Sequence, residues 1–181
     1  HVRIPMEAGL GNRLFALATG IAVAEAAGRS LRVHWPTVED GTGHPSGERI
    51  AMPAFDALFR LQWQGAEVLS GPAPPSDHAC PDEAHLPDAS PLLLAAMRFF
   101  NLRGFLHPSL RVVCLTLSLD LGELLMQNPY HAAALSERFG ARGGRGSDTL
   151  VAHVLRAAVV PLHAPPSDAA GVRASLAAGI H

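Results

Sequence analysis

The sequence predicts an α/β domain organised on a parallel sheet, and three successive stretches predict it. A short alternating segment (Val2, Ile4, Met6) runs into the glycine-rich stretch Gly9-Leu10-Gly11-Asn12-Arg13. A long run of helix-forming residues follows from Leu14 to Ala27, and then a second β-like segment, Leu31-Arg32-Val33-His34-Trp35. Strand, glycine turn, helix, strand is the opening unit of a parallel α/β sheet. Two glycines in the turn allow positive φ and close approach of a ligand. The free N–H groups of the following helix favour an anion such as a phosphate. The spacing is not G-x-G-x-x-G, because Leu14 stands three after Gly11, and no Gly-Lys-Ser/Thr follows to make a P-loop. As bare geometry, such a turn is more often sheet topology than a ligand site.

A chain of 181 residues suits one domain with a real core, and 48% hydrophobic against 17% charged residues argues for a globular body. A net charge of −2 gives no footprint for nucleic acid. All 14 basic residues are arginine, which removes a Schiff-base or P-loop lysine and leaves guanidinium forks to hold a diphosphate. Cys80 and Cys114 form no C-x-x-C pair; one disulfide and two separate thiols are both open, and so is the redox compartment. No basic segment followed by an apolar one opens the chain, and its longest apolar stretch, 14–24, is too short to span a bilayer. The start at His1, in mid-strand, reads as a fragment.

Leu14, Leu17, Ala18, Ile21 and Ala22 recur at helical spacing, with small residues between them, so the first helix is expected to be buried around much of its circumference. Gly28 reads as its C-cap, Glu25 and Arg29 as an i, i+4 pair, and Asn12 as either its N-cap or a substrate contact. Residues 36–50 read as a polar loop, 53–59 as a short amphipathic helix facing the core with Phe55, Leu58 and Phe59, and 66–69 as a strand. The Pro-rich, acidic stretch 71–90 reads as a loop or insertion. Its His78, Cys80, Asp82, Glu83 and His85 fit no structural zinc spacing, so no metal site is assigned. A helix is expected over 91–102. Residues 112–121 are left open between strand and helical or irregular structure, although Leu115, Leu117, Leu119 and Leu121 alternate with polar residues as a half-buried strand would. A helix from Asn128-Pro129 to Phe139 and a Gly/Arg loop, 140–146, come next, with Arg142 and Arg145 exposed.

The other segment of interest is Thr149-Leu150-Val151-Ala152-His153-Val154-Leu155-Arg156, whose nearly continuous apolar run predicts a central parallel strand. His153 and Arg156 would then stand at its carboxyl end, where open α/β sheets place ligands. A lone strand histidine is more often a hydrogen-bonded core residue than a catalyst.

Gly9 to Leu14, the Ala-rich helix and Ala27-Gly28-Arg29-Ser30-Leu31-Arg32-Val33-His34-Trp35 together resemble the N-terminal signature of the fucosyltransferase superfamily. That group uses a GDP-sugar donor and includes nodulation, core and protein O-fucosyltransferases. Residues 53–59 are similar to its F-x-D-L-F segment, and His153 to Arg156 to its H-V-R-R motif, with Leu155 in the first arginine position. The resemblance implies a Rossmann-like fold like the N-terminal domain of a GT-B glycosyltransferase. Residues 1–160 would form that domain, and 161–181, with a helix over 169–178, a linker and the start of a missing second one. It implies transfer of fucose from GDP-fucose to a glycan or protein hydroxyl, with inversion, no obligatory metal, no other cofactor and a secretory-pathway setting. Gly9, Gly11, Asn12 and Arg13 would line the donor cleft, Arg156 would contact the diphosphate with His153 beside it, and Glu7 is the nearest candidate general base. Leucine donates nothing to a phosphate, so the alternative is a non-catalytic relative that binds glycan or protein.

Overall fold

A computed structural model describes residues 1–6, 8–43, 49–72, 85–86, 90–106, 112–141 and 148–162. Strand β1 (Val2–Arg3) leads into helix α1 (Leu10–Ala27), which returns to β2 (Leu31–Pro36). An antiparallel pair follows, β3 (Val38–Gly43) and β4 (Arg49–Met52), then α2 (Phe55–Leu58), β5 (Phe59–Leu61) and β6 (Ala66–Gly71). The rest carries β7 (His85–Leu86), α3 (Pro91–Phe99), α4 (Leu102–Phe105), β8 (Cys114–Thr116), α5 (Gly122–Met126), α6 (Ala132–Phe139), α7 (Leu150–Ala158) and β9 (Val159–Pro161). The fold is α/β and Rossmann-like, with helices flanking a parallel sheet.

That sheet has five strands in the order β6-β2-β1-β8-β7, and each neighbouring pair is parallel. Val2 stands opposite Val33 on one side and Leu115 on the other. The chain builds outward from β1 through β2 to β6, then resumes on the other side of β1. Strand order therefore reverses between β1 and β8, and ligands of open α/β sheets bind outside the carboxyl ends of the strands at such a point. Along β2, Leu31, Val33 and Trp35 are buried, while Arg32 is exposed and His34 half-buried. That alternation differs from the continuous apolar run of a strand covered equally on both faces.

Helix α1 is the centre of the molecule. Twelve of its 18 residues are buried, which one sheet-facing stripe cannot supply. It packs on β1 and β2 and also touches α4, α5, α6 and α7. Leu14, Leu17 and Ile21 are fully enclosed, each contributing roughly 1.5–3 kcal/mol by burial. The small residues between them set the approach distance: a Cβ on Gly20 would lie 3.0 Å from Val2 Cγ2. Gly28 ends the helix in the left-handed region at φ 66°, donating to the Ala24 and Glu25 carbonyls.

Several expectations need correction. Helix α1 begins at Leu10, so Gly11, Asn12 and Arg13 belong to its first turn, and Gly9 has an ordinary φ of −66°. The N-cap is Gly9, with no side-chain bond, so Asn12 does not cap. Glu25 pairs with Arg138 at 3.5 Å, while Arg29 Nη1 donates to the Leu106 carbonyl at 3.0 Å. The 36–50 stretch is drawn into the β3–β4 pair, and 71–90 contributes the edge strand β7. The alternation through Leu121 yields only the three residues of β8. Leu121 instead turns onto α1, its N–H 3.4 Å from Thr19 Oγ1.

The largest correction is at 149–156, which is helix rather than central strand. Thr149 Oγ1 accepts from Ala152 N at 3.2 Å, and Leu150, Val151, Val154 and Ala158 form a buried helical stripe. An apolar run of this length is ambiguous by periodicity. The capping threonine decides it.

Cys114 is buried in β8 and disulfide-bonded. Among the described residues no helix is long and apolar enough to cross a membrane. The acidic His78–Glu83 cluster, Arg142 and Arg145, and the expected helix over 169–178 lie outside the described residues.

Candidate functional site at the carboxyl edge of the sheet

The glycine stretch sits where β1 hands over to α1, at the carboxyl edge of the sheet. The first intrahelical bond runs from Arg13 N to Gly9 O at 3.0 Å, which leaves the N–H groups of Leu10, Gly11 and Asn12 without intrahelical acceptors. Their partial positive charge, added to the helix dipole, faces the edge. The space beside both glycines is open, since a Cβ on Gly9 or Gly11 would meet nothing within 4 Å. Asn12 is exposed, as are the flanking apolar side chains of Met6 and Leu10. The glycines therefore serve close approach rather than unusual backbone angles.

Arg13 is the residue that shapes this edge. Its side chain is fully enclosed, and its guanidinium collects three carbonyls: Nε donates to Ala8 O at 2.6 Å, Nη2 to Met6 O at 2.9 Å, and Nη1 to Pro36 O. Two of these carbonyls belong to the β1–α1 turn and the third ends β2. The same group lies 5.6 Å from the centroid of the Trp35 ring. Trp35 Nε1 in turn donates to Pro53 O at 3.1 Å, and its ring meets Phe55 edge-on at 5.2 Å. Phe55 N donates to Ser70 Oγ at 3.0 Å. A chain of contacts thus ties the glycine turn to the ends of β2 and β6. The rigid fork of arginine is what allows one side chain to reach three acceptors.

On the other side of β1, Asp120 follows β8 and accepts the Gly122 N–H on Oδ1 at 2.8 Å, which starts α5. Desolvation pushes its pKa up, the Gly122 hydrogen bond opposes this, and Glu123 adds to the rise. Its outer side remains exposed.

His153 and Arg156 are elsewhere. Helix α7 ends at Ala158, whose carbonyl takes the Gln62 N–H at 2.8 Å. Gln62 leads into β6, beside which Gly65 O takes Leu31 N–H at 2.8 Å at the start of β2. Arg156 therefore lies at the amino edge of the sheet. Trp63, stacked on Phe139 at 5.1 Å and covered by Arg138 at 4.7 Å, is tied there to Glu25 near the end of α1. Gly11 and Glu25 are 14 residues apart along that helix, or about 20 Å at ~1.5 Å per residue. His153 turns toward Asp148, at 3.9 Å, and toward Gly140. The structure brings Gly9, Gly11, Asn12 and Arg13 together and leaves His153 and Arg156 at the opposite edge, while Glu7 lies outside the described residues.

The amino edge has a hollow of about 510 Å³, lined by His1, Gly28, Arg29, Arg32, Leu106 and Val113 among others. No part of the glycine turn lines this hollow.

Two polar residues with large structural roles, Asn128 and His131, stand out only in the fold. Both are buried, and both bond across to the α3–α4 junction. The one signal in the sequence is that they interrupt an otherwise helical stretch with Asn128-Pro129.

The class defined by fold and site is a Rossmann-like α/β protein with an open glycine turn at the point of strand-order reversal. Compared with family models, curated proteins and solved structures, the chain matches none.

Proposed function

We propose that this chain is the Rossmann-like first half of a glycosyltransferase resembling the GDP-fucose-dependent enzymes, and that its contribution is the wall of the donor cleft at the carboxyl edge. The observation that carries this reading is the glycine turn, with open space over Gly9 and Gly11 where strand order reverses. The residue order from Gly9 to Leu14 and from Ala27 to Trp35 supports the family resemblance. The bonded Cys114 agrees with an oxidising, secretory-type compartment.

In this reading the N–H groups of Leu10, Gly11 and Asn12 stabilise the charge that grows on the departing nucleoside diphosphate as an acceptor hydroxyl displaces it from the anomeric carbon. Arg13 acts through the backbone, holding those groups in place, and does not touch the donor. Arg156 and His153 take no part at this edge, so the diphosphate arginine comes from outside α7. The acceptor is a glycan or a protein hydroxyl.

The position of Arg156, together with Leu155, favours a second reading, a non-catalytic relative that binds glycan or protein. Calorimetry with GDP and GDP-fucose, against ADP and UDP as controls, separates the two. Guanine-selective binding that survives Arg156→Ala supports the donor-cleft reading. Binding of free glycan with no response to any nucleotide supports the module.

A further inference from the structure

The turn between α5 and α6 carries two buried polar side chains that close the elbow between α3 and α4. Asn128 Nδ2 donates to Met97 O and Phe100 O, each at 2.9 Å, with Ala96 O at 3.5 Å, and so covers the last carbonyls of α3. Its Oδ1 accepts Tyr130 N at 2.9 Å. His131, 6% exposed, accepts the Leu102 N–H on Nε2 at 2.8 Å, at the first turn of α4. An imidazole accepts on Nε2 only while that nitrogen carries no proton, so the bond fixes the neutral ring with any proton on Nδ1. Protonation turns the acceptor into a donor pointed at another donor, and a buried donor left unmatched is costly.

The surroundings make that charge harder to hold. Burial lowers the His131 pKa first and the guanidinium of Arg103, on α4, lowers it further. The Tyr130 ring lies beside it, at 6.4 Å between centroids. Arg98 of α3 is turned over Phe99, Glu123 of α5 accepts from Gln127, and Glu137 and Arg138 lie further along α6. Among the described residues no carboxylate is one of the groups that act on the ring. Beneath the elbow Met97 and Leu102 are 1% exposed, and around it Phe99, Phe100 and Tyr130 already present large apolar faces.

We propose that His131 is an acid-sensitive latch: neutral, it holds the α3–α4 elbow shut through Leu102, and protonated, it releases that turn and uncovers Met97 and Leu102 beside the exposed aromatic residues. The sign follows from linkage. A histidine whose pKa is lowered by folding lends its full stability above the ordinary value of ~6.5 and loses it as pH falls through that value. The device is independent of what binds at the carboxyl edge.

The test is residue-resolved amide exchange on the intact chain at pH 7.5 and 5.5, corrected for intrinsic rates, in wild type and His131→Gln. Glutamine keeps an acceptor oxygen and does not titrate. Protection at Leu102 is expected to fall roughly tenfold in wild type at the lower pH, the order for one lost hydrogen bond, and to stay level in the variant. Unchanged protection in wild type, or an equal fall in the variant, overturns the proposal. If the variant does not fold, imidazole nitrogen shifts of wild type decide. Nε2 unprotonated at pH 7.5, with a midpoint below ~6.5, is expected. A proton on Nε2 or a higher midpoint refutes the latch.

Discussion

The two edges of the sheet use the same residue type for opposite purposes. At the carboxyl edge a single enclosed arginine, Arg13, draws three carbonyls together and fixes the backbone of the glycine turn. At the amino edge the arginines lie at the surface: Arg138 meets Glu25 at 3.5 Å, and Arg32 meets Glu67 at 3.1 Å, with about half of each arginine side chain in solvent. Exposed pairs of that kind contribute about 0–1 kcal/mol each. A buried guanidinium with all its acceptors in place has far more to lose, because its removal strands the carbonyls it served. Burial, rather than residue identity or closeness to a motif, tells which arginine builds a site.

Arg13→Leu breaks the comparison most sharply. It should lower stability by on the order of 3–5 kcal/mol in urea unfolding, whereas Arg156→Ala, at an exposed position, should change it by no more than about 1 kcal/mol. Equal effects at the two edges would remove the distinction. Thr149→Ala tests the helix that carries Arg156 to the amino edge. Loss of a capping hydroxyl should cost about 1 kcal/mol, with helical content reduced in far-UV circular dichroism. A strand at 149–156 would lose nothing comparable. Gly11→Ala is the smallest change and the most discriminating. Its helical position and open surroundings predict a gain of about 0.4–1 kcal/mol in stability, with nucleotide binding weakened because the methyl occupies the approach to the backbone. Gain in stability with binding unchanged would show that ligand does not approach there.

The legible parts of the fold were those with redundant signals. Strand, glycine stretch, small-residue helix and Gly28 cap state one answer in several ways, and β1, α1 and β2 follow from them. The short helix at Phe55, β6, α3 and α6 were also legible, from amphipathic spacing or β-like composition. The run at 150–158 carried one strong signal, continuous apolarity, which strand and buried helix share, so the cap at Thr149 outweighed it. β3, β4, β5, β7 and β9 are short or polar, and their pairing depends on partners distant in sequence, as Phe59 with Pro161 shows. Of the candidate site, the glycine turn was legible as a place. The work of Arg13 was not, because its acceptors are backbone carbonyls at Met6, Ala8 and Pro36, and carbonyls leave no mark on residue identity.

The most direct test of the donor-cleft proposal is a titration of the isotopically labelled chain with GDP, followed by backbone amide shifts. The account predicts saturable shifts at Leu10, Gly11 and Asn12, with none at Val154 to Ala158. Shifts centred on Arg156, or no saturable response at the glycine turn, would contradict it.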